Sequence, residues 1–182
     1  MARPNLFSFA TSELSQDAFT AWLLAWADPS HREADGPLHL AGLILLGRLL
    51  DAAGVARPTE IQSVNVERQW RRIDVLAVVN DAVAILIENK THTRNHSGQL
   101  GRYLGLARVR FQEPDWKVAP IYLKTGDQCG YEDVLHAGWR CFLRGDFLGV
   151  LREGQGLGVR SDIFLDFARH LQGMEDAVQA FQ

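Results

Sequence analysis

Two short apolar runs, residues 75–79 and 83–87, separated by Asn80-Asp81-Ala82, restrict this chain more than any other feature. Both are rich in Val and Ile and too short for self-burying helices, so they read as strands; Asn-Asp between them suits the left-handed backbone of a tight hairpin turn. Strands apolar on both sides belong inside a sheet that is covered on both faces. Their extent is read as residues 72–79 and 82–88, with another extended segment at residues 61–69.

Helical spacing appears on either side of this hairpin. Phe19, Trp22, Leu23 and Trp26 predict a helix over residues 15–26 with Ser15 as its N-cap. A second helix is expected over residues 38–53, started by Pro37 and stopped by Gly54. Leu100, Leu104, Ala107 and Phe111 mark a third over residues 98–112. Residues 117–124 read as a strand, 139–143 as a fifth, and 162–172 as a closing helix carrying Ile163, Phe164, Phe167 and Leu171; residues 125–138 read as a loop. The pattern predicts an α/β fold in one domain, residues 1–182. Its central mixed sheet of four or five strands is flanked by helices.

A chain of 182 residues can bury one core. Its 47% hydrophobic content is that of an ordinary soluble domain. Neither a secretory leader nor a segment of membrane-span length is read, so no membrane partner is expected. Cys129 and Cys141 are too few for a disulfide framework, and a reducing cytoplasm is the simple inference. The net charge of −3 offers no global attraction to a polyanion. Residues 67–110, however, hold eight Lys or Arg against four acids, enough to bind a polyanion locally, although a solvated basic face satisfies the same count.

The chemistry lies where the hairpin strands begin and end. Asp74 stands near the start of one strand, and Glu88-Asn89-Lys90 closes the next, so a hairpin brings them together. Side chains alternate along a strand, which puts Glu88 and Lys90 on one face and leaves the Asn89 carbonyl available. Two carboxylates at the edge of an apolar sheet need cationic compensation, and Lys90 supplies only part of it. A hard divalent cation, taking oxygen from Asp74, Glu88 and the Asn89 carbonyl and keeping waters elsewhere, would supply the rest. That coordination suits Mg2+, with Mn2+ as a substitute.

Ile73-Asp74, thirteen residues, then Glu88-Asn89-Lys90 resembles the PD-(D/E)XK motif of restriction-endonuclease-like nucleases, with Ile73 where the proline usually stands. Gln99-Leu-Gly-Arg-Tyr103 resembles the Gln-x-x-x-Tyr element of RecB-type nucleases, and one helical turn puts both side chains on one face. Glu13-Leu-Ser-Gln-Asp17 ahead of a Trp-Leu-Leu helix is similar to the opening of a bacterial subfamily of the same enzymes. The resemblance implies a metal-dependent nuclease acting on DNA, in defence or repair, with Asp74, Glu88 and Lys90 catalytic. It implies an additional acid at Glu13 or Glu67, although each taken singly reads more readily as a surface or capping carboxylate. Gln99, Tyr103, Arg72, Arg94 and Arg102, with Arg68 and Arg71, become candidates for supporting the site or contacting phosphate.

His31, His39, His92 and His96 read as ordinary loop residues or phosphate contacts more readily than as ligands. Asp133, His136 and the cysteines form no nucleophile and base set. Two alternatives stand beside the nuclease: an inactive nucleic-acid-binding or structural protein of the same fold, and an unrelated α/β domain whose acids form surface ion pairs. A homodimer is left open.

Overall fold

The computed structural model describes residues 4–91, 93 and 98–180. Arg94, His92 and His96 lie outside the described residues. Strands β1 (Val64–Trp70), β2 (Ile73–Val79), β3 (Val83–Lys90), β4 (Lys117–Lys124) and β5 (Arg140–Leu143) form one sheet in chain order. The first three are antiparallel, and β4 and β5 run parallel to β3, so the sheet is mixed. Asn80 and Asp81 take φ of 53° and 47°, and Ala82 N–H closes their turn on Val79 O at 3.0 Å. A second hairpin tip, Arg71-Arg72 between the paired Trp70 and Ile73, also has positive φ at both residues.

Six α-helices are described: α1 (Glu13–Ala25), α2 (Gly36–Ala53), α3 (Gln99–Arg110), α4 (Glu132–His136), α5 (Arg144–Gly156) and α6 (Asp162–Gln179). Strand alternation divides the core in two. Val75, Ala77, Val79, Val83, Ile85 and Ile87 pack with residues of α1, α2, α5 and α6. Leu76, Val78, Ala84 and Leu86 face Leu100, Tyr103, Leu104 and Ala107 of α3. Covering both faces explains why the central strands carry so little polar character.

Several boundaries differ from those the sequence suggests. Helix α1 starts two residues earlier, after Ser12, and Ser15 is not its cap; the two hydroxyls lie 3.2 Å apart. Helix α2 begins at Gly36 because the Asp35 carboxylate accepts from Leu38 N–H, and it ends at Gly54, whose φ is 69°. By length and apolar character α2 could cross a membrane, contrary to the reading that no segment does, but Leu38, Ala41, Leu45, Leu46, Leu49 and Leu50 are core residues here. Residues 125–138 contain the short α4 rather than loop alone, and α6 extends to Gln179. Helix α5 escapes sequence reading because Gly145, Gly149, Gly154 and Gly156 dilute its apolar stripe. Of these, Gly154 is required by packing: a Cβ there would meet Phe164 Cζ at 2.5 Å.

Candidate active site

The central register pairs Val75 with Ile87, and one step beyond that pair stand Asp74 and Glu88. Both follow the alternation onto the α3 side of the sheet, as does Lys90. Glu88 is 1% exposed, and its Oε1 accepts from Lys90 Nζ at 2.7 Å and from Gln99 Nε2 at 2.7 Å. Gln99 also donates to the Tyr103 hydroxyl at 3.2 Å, so one turn of α3 presents both residues to the acid. Glu88 Oε2 is buried and has no hydrogen-bond partner among the described residues. Lys90 is 12% exposed, which removes the surface-ion-pair alternative, since neither partner of this pair is at the surface.

Asp74 is held from two directions. Its Oδ2 accepts from Asn89 N–H at 2.9 Å, and its Oδ1 accepts from Gln69 Nε2 at 3.1 Å. Gln69 takes a φ of 56°, a left-handed conformation uncommon for a residue with a Cβ. On the next strand, Thr125 N–H bonds to Lys90 O, so the backbone groups of Lys90 face β4. Those of Asn89 therefore face β2, and its carbonyl lies on the same side as the N–H that holds Asp74.

Electrostatics set these groups apart from ordinary carboxylates. Burial, together with the charge of Asp74, pushes Glu88 up to about 7. Asp74 is also raised by burial, against the opposing hydrogen bond from Asn89, the charge of Lys90 and the hydrogen bond from Gln69. Burial opposes the charged form of Lys90, but the hydrogen bond and charge of Glu88, with Asp74 and Glu13, raise it above its usual value. The site therefore carries more buried negative charge than its one lysine offsets.

The donor set suits a divalent metal ion. Among the described residues Glu88 Oε2 is a buried carboxylate oxygen without a hydrogen-bond partner, and a second carboxylate, Asp74, is close enough to raise the pKa of Glu88. Among the described residues no three His, Cys, Asp or Glu side chains gather as a metal cage. Such a cation would draw on few protein ligands and complete its shell from water.

Of the other predicted site residues, Glu13 lies within electrostatic range of Lys90 and Asp74. Glu13 reaches the loop after β3: its Oε1 accepts from Thr91 N–H at 2.8 Å and from the Thr93 hydroxyl at 2.8 Å. These bonds, with the charge of Lys90, outweigh burial and lower its pKa. Glu67 is exposed on β1 opposite Leu76 and pairs with Arg110 at 3.2 Å, so it is not brought to Asp74 and Glu88. Arg72 is exposed at the hairpin tip with Arg71, Arg102 is exposed on α3 with its guanidinium 5.6 Å from the Tyr103 ring centre, and Arg68 donates to Leu14 O. His39 donates its Nδ1–H to Trp26 O at 2.8 Å, and His31 lies against the Trp26 ring. Neither histidine approaches the site.

Sequence reasoning missed four contributors: Gln69, Gln16, Asp17 and Lys124. Asp17 is 2% exposed, and burial and the charge of Asp74 push it up to about 7. Lys124 is equally buried, and its Nζ donates to Thr91 O at 2.9 Å and Thr93 O at 2.7 Å. The signal for Gln16 and Asp17 was present, because helical spacing puts them in line with Phe19, Thr20, Leu23 and Leu24 on the buried side of α1.

Acids at the facing ends of two central strands, a lysine two residues beyond the second acid, and a mixed sheet covered by helices define a restriction-endonuclease-like fold. The chain matches the model of the PD-(D/E)XK nuclease superfamily over residues 4–147, more than half its length, and belongs to that superfamily. No curated protein and no solved structure matches it.

Proposed function

We propose that this protein is a metal-dependent nuclease that hydrolyses phosphodiester bonds in DNA, with Asp74, Glu88 and Lys90 at its active site and Mg2+ as its metal. The observation that carries this reading is Glu88 Oε2, a buried carboxylate oxygen with no hydrogen-bond partner among the described residues, beside Asp74. Asp74, Glu88 and the Asn89 carbonyl would hold the metal. When bound, the metal supplies a water acidic enough to attack phosphorus and a positive charge for the phosphate oxygens. Lys90 Nζ, fixed by Glu88 and charged at neutral pH, orients that water or meets the negative charge that develops on phosphate. Gln99 fixes the Glu88 carboxylate and Gln69 fixes Asp74, so both acids are held before substrate arrives.

Glu13 belongs in this reading to the loop after β3, whose N–H and hydroxyl groups occupy its carboxylate. Arg68, Arg71, Arg72 and Arg102 supply phosphate attraction. Defence against foreign DNA or DNA repair is the setting such an activity serves.

The test is cleavage with Mg2+ on linear duplex, closed circular duplex, single-stranded DNA and RNA. The reading expects cleavage of at least one DNA, abolished by chelator; cutting of the closed circle makes the enzyme an endonuclease. Cleavage of RNA alone replaces the substrate, and no cleavage with intact DNA binding leaves a binding protein of the same fold.

A further inference from the structure

Asn89 is the middle residue of Glu88-Asn89-Lys90, and its side chain turns to the opposite face of the sheet. It is 1% exposed there, its Nδ2 donates to Asp17 Oδ1 at 2.7 Å, and its Oδ1 accepts from Gln16 Nε2 at 3.4 Å. Gln16 Oε1 in turn accepts from the hydroxyls of Thr125 at 2.5 Å and Thr91 at 3.1 Å. The Thr125 carbonyl accepts from Arg144 Nη1 at 2.8 Å. A continuous polar chain thus runs behind the catalytic strand end, between α1 and the close of β4.

Burying an acid and an amide on the core side of a helix is costly, and an apolar pair of similar shape would serve stability as well. What the polar pair adds is a fixed direction for one peptide. Asn89 N–H holds Asp74 Oδ2, and the Asn89 carbonyl faces the same side. Anchoring the Asn89 side chain to Asp17 and Gln16 restrains the backbone torsions of Asn89, and with them the direction of both main-chain groups.

We propose that Asp17 is a positioning residue that acts through Asn89, fixing the peptide that holds Asp74 and offers its carbonyl to the metal. The assignment rests on the nuclease reading above. Asp17 touches neither metal nor substrate; it sets how well the ligands are aligned.

The experiment is calorimetric titration of Mn2+ without substrate, together with steady-state cleavage, on the parent protein, Asp17→Ala, Asn89→Ala, their double variant and Asp17→Asn. Circular dichroism verifies folding. Asp17→Ala and Asn89→Ala should each weaken Mn2+ binding by about 10- to 100-fold, the range typical of lost support to a metal ligand, with the KM for DNA unchanged. The double variant should be no worse than the poorer single one, because both cut the same link. Asp17→Asn keeps an acceptor for the Asn89 amide and should retain parental affinity.

Folded Asp17→Ala with parental Mn2+ affinity would overturn the proposal, as would losses that multiply in the double variant. An Asp17→Asn protein as weak as Asp17→Ala would show that charge, not the hydrogen bond, is what matters, and would also overturn it. Should Asp17→Ala not fold, Asn89→Ala carries the same expectation and the same refutation. A parent protein that binds no Mn2+ defeats the nuclease reading itself, a result distinct from a variant that binds like its parent.

Discussion

Gln99 Nε2 reaches from the first turn of α3 to Glu88 Oε1 on β3, 2.7 Å away, and the other oxygen of that buried carboxylate has no hydrogen-bond partner among the described residues. The amide fixes the rotation of the acid through Oε1 and leaves Oε2 unoccupied among the described residues. Replacing it should therefore disturb metal binding as well as turnover. Gln99→Ala should lower cleavage and Mn2+ affinity about 10-fold each, the lower end for lost ligand support. Tyr103→Phe removes only the hydroxyl that accepts from Gln99 and should lose less. Calorimetry and initial rates on the two variants check the order.

Stability in chelator should fall as pH rises. Glu88 has an ordinary value of 4.5 and sits at about 7 in the fold, and Asp17 goes from 3.8 to about 7. Below the lower values folded and unfolded chains both hold these protons. Between them the folded protein keeps protons that the unfolded chain has released, so stability is lost as pH climbs through about 7. A thermal midpoint that drops from pH 5 to pH 8 in chelator is expected. Glu88→Gln should remove about 1–3 kcal/mol of that loss. Thermal melts at both pH values, with chelator and then with Mg2+, are the check; Mg2+ should raise the parent's midpoint at pH 8 and hardly move that of Glu88→Gln.

Gly126 marks where the strand end meets the loop after β3. A Cβ there would lie 1.9 Å from Thr91 O, the carbonyl that also accepts from Lys124. Because the obstacle is backbone, Gly126→Ala should cost about 1–3 kcal/mol, the usual range for overpacking, and should displace Thr91 from Glu13. Urea unfolding measures the first effect, and amide hydrogen exchange at Thr91 the second.

Much of this site could be read from the chain because it lies on strands whose period is two. Asp74, Glu88 and Lys90 interrupt or end apolar runs, so alternation and a hairpin turn suffice to bring them together. Gln99 and Tyr103 were legible for the same reason at helical period. Other features depend on contacts that spacing does not encode. Glu13 and Asp17 are both acids of α1, and only the packing of that helix decides that one serves the loop and the other Asn89. Gln69 became a partner of Asp74 through a left-handed backbone, which its sequence neighbours do not announce. Helix α5 stayed hidden because its glycines, of which Gly154 lies against Phe164, are set by a neighbouring helix and not by local preference.

The roles of the three charged residues separate most cleanly in one measurement: Mn2+ titration by calorimetry, paired with cleavage rates, on the parent, Asp74→Ala, Glu88→Ala and Lys90→Ala. Removing either acid takes a ligand from a site with few protein ligands, so metal binding and cleavage should vanish together. Lys90 is a point charge hydrogen-bonded to Glu88 and is no ligand. Its loss should depress turnover by about 100-fold or more, the scale for a group that stabilises charge in the transition state, while the metal still binds. Parental cleavage by Lys90→Ala, or normal Mn2+ binding by Asp74→Ala, would contradict the assignment of this strand end as the active site.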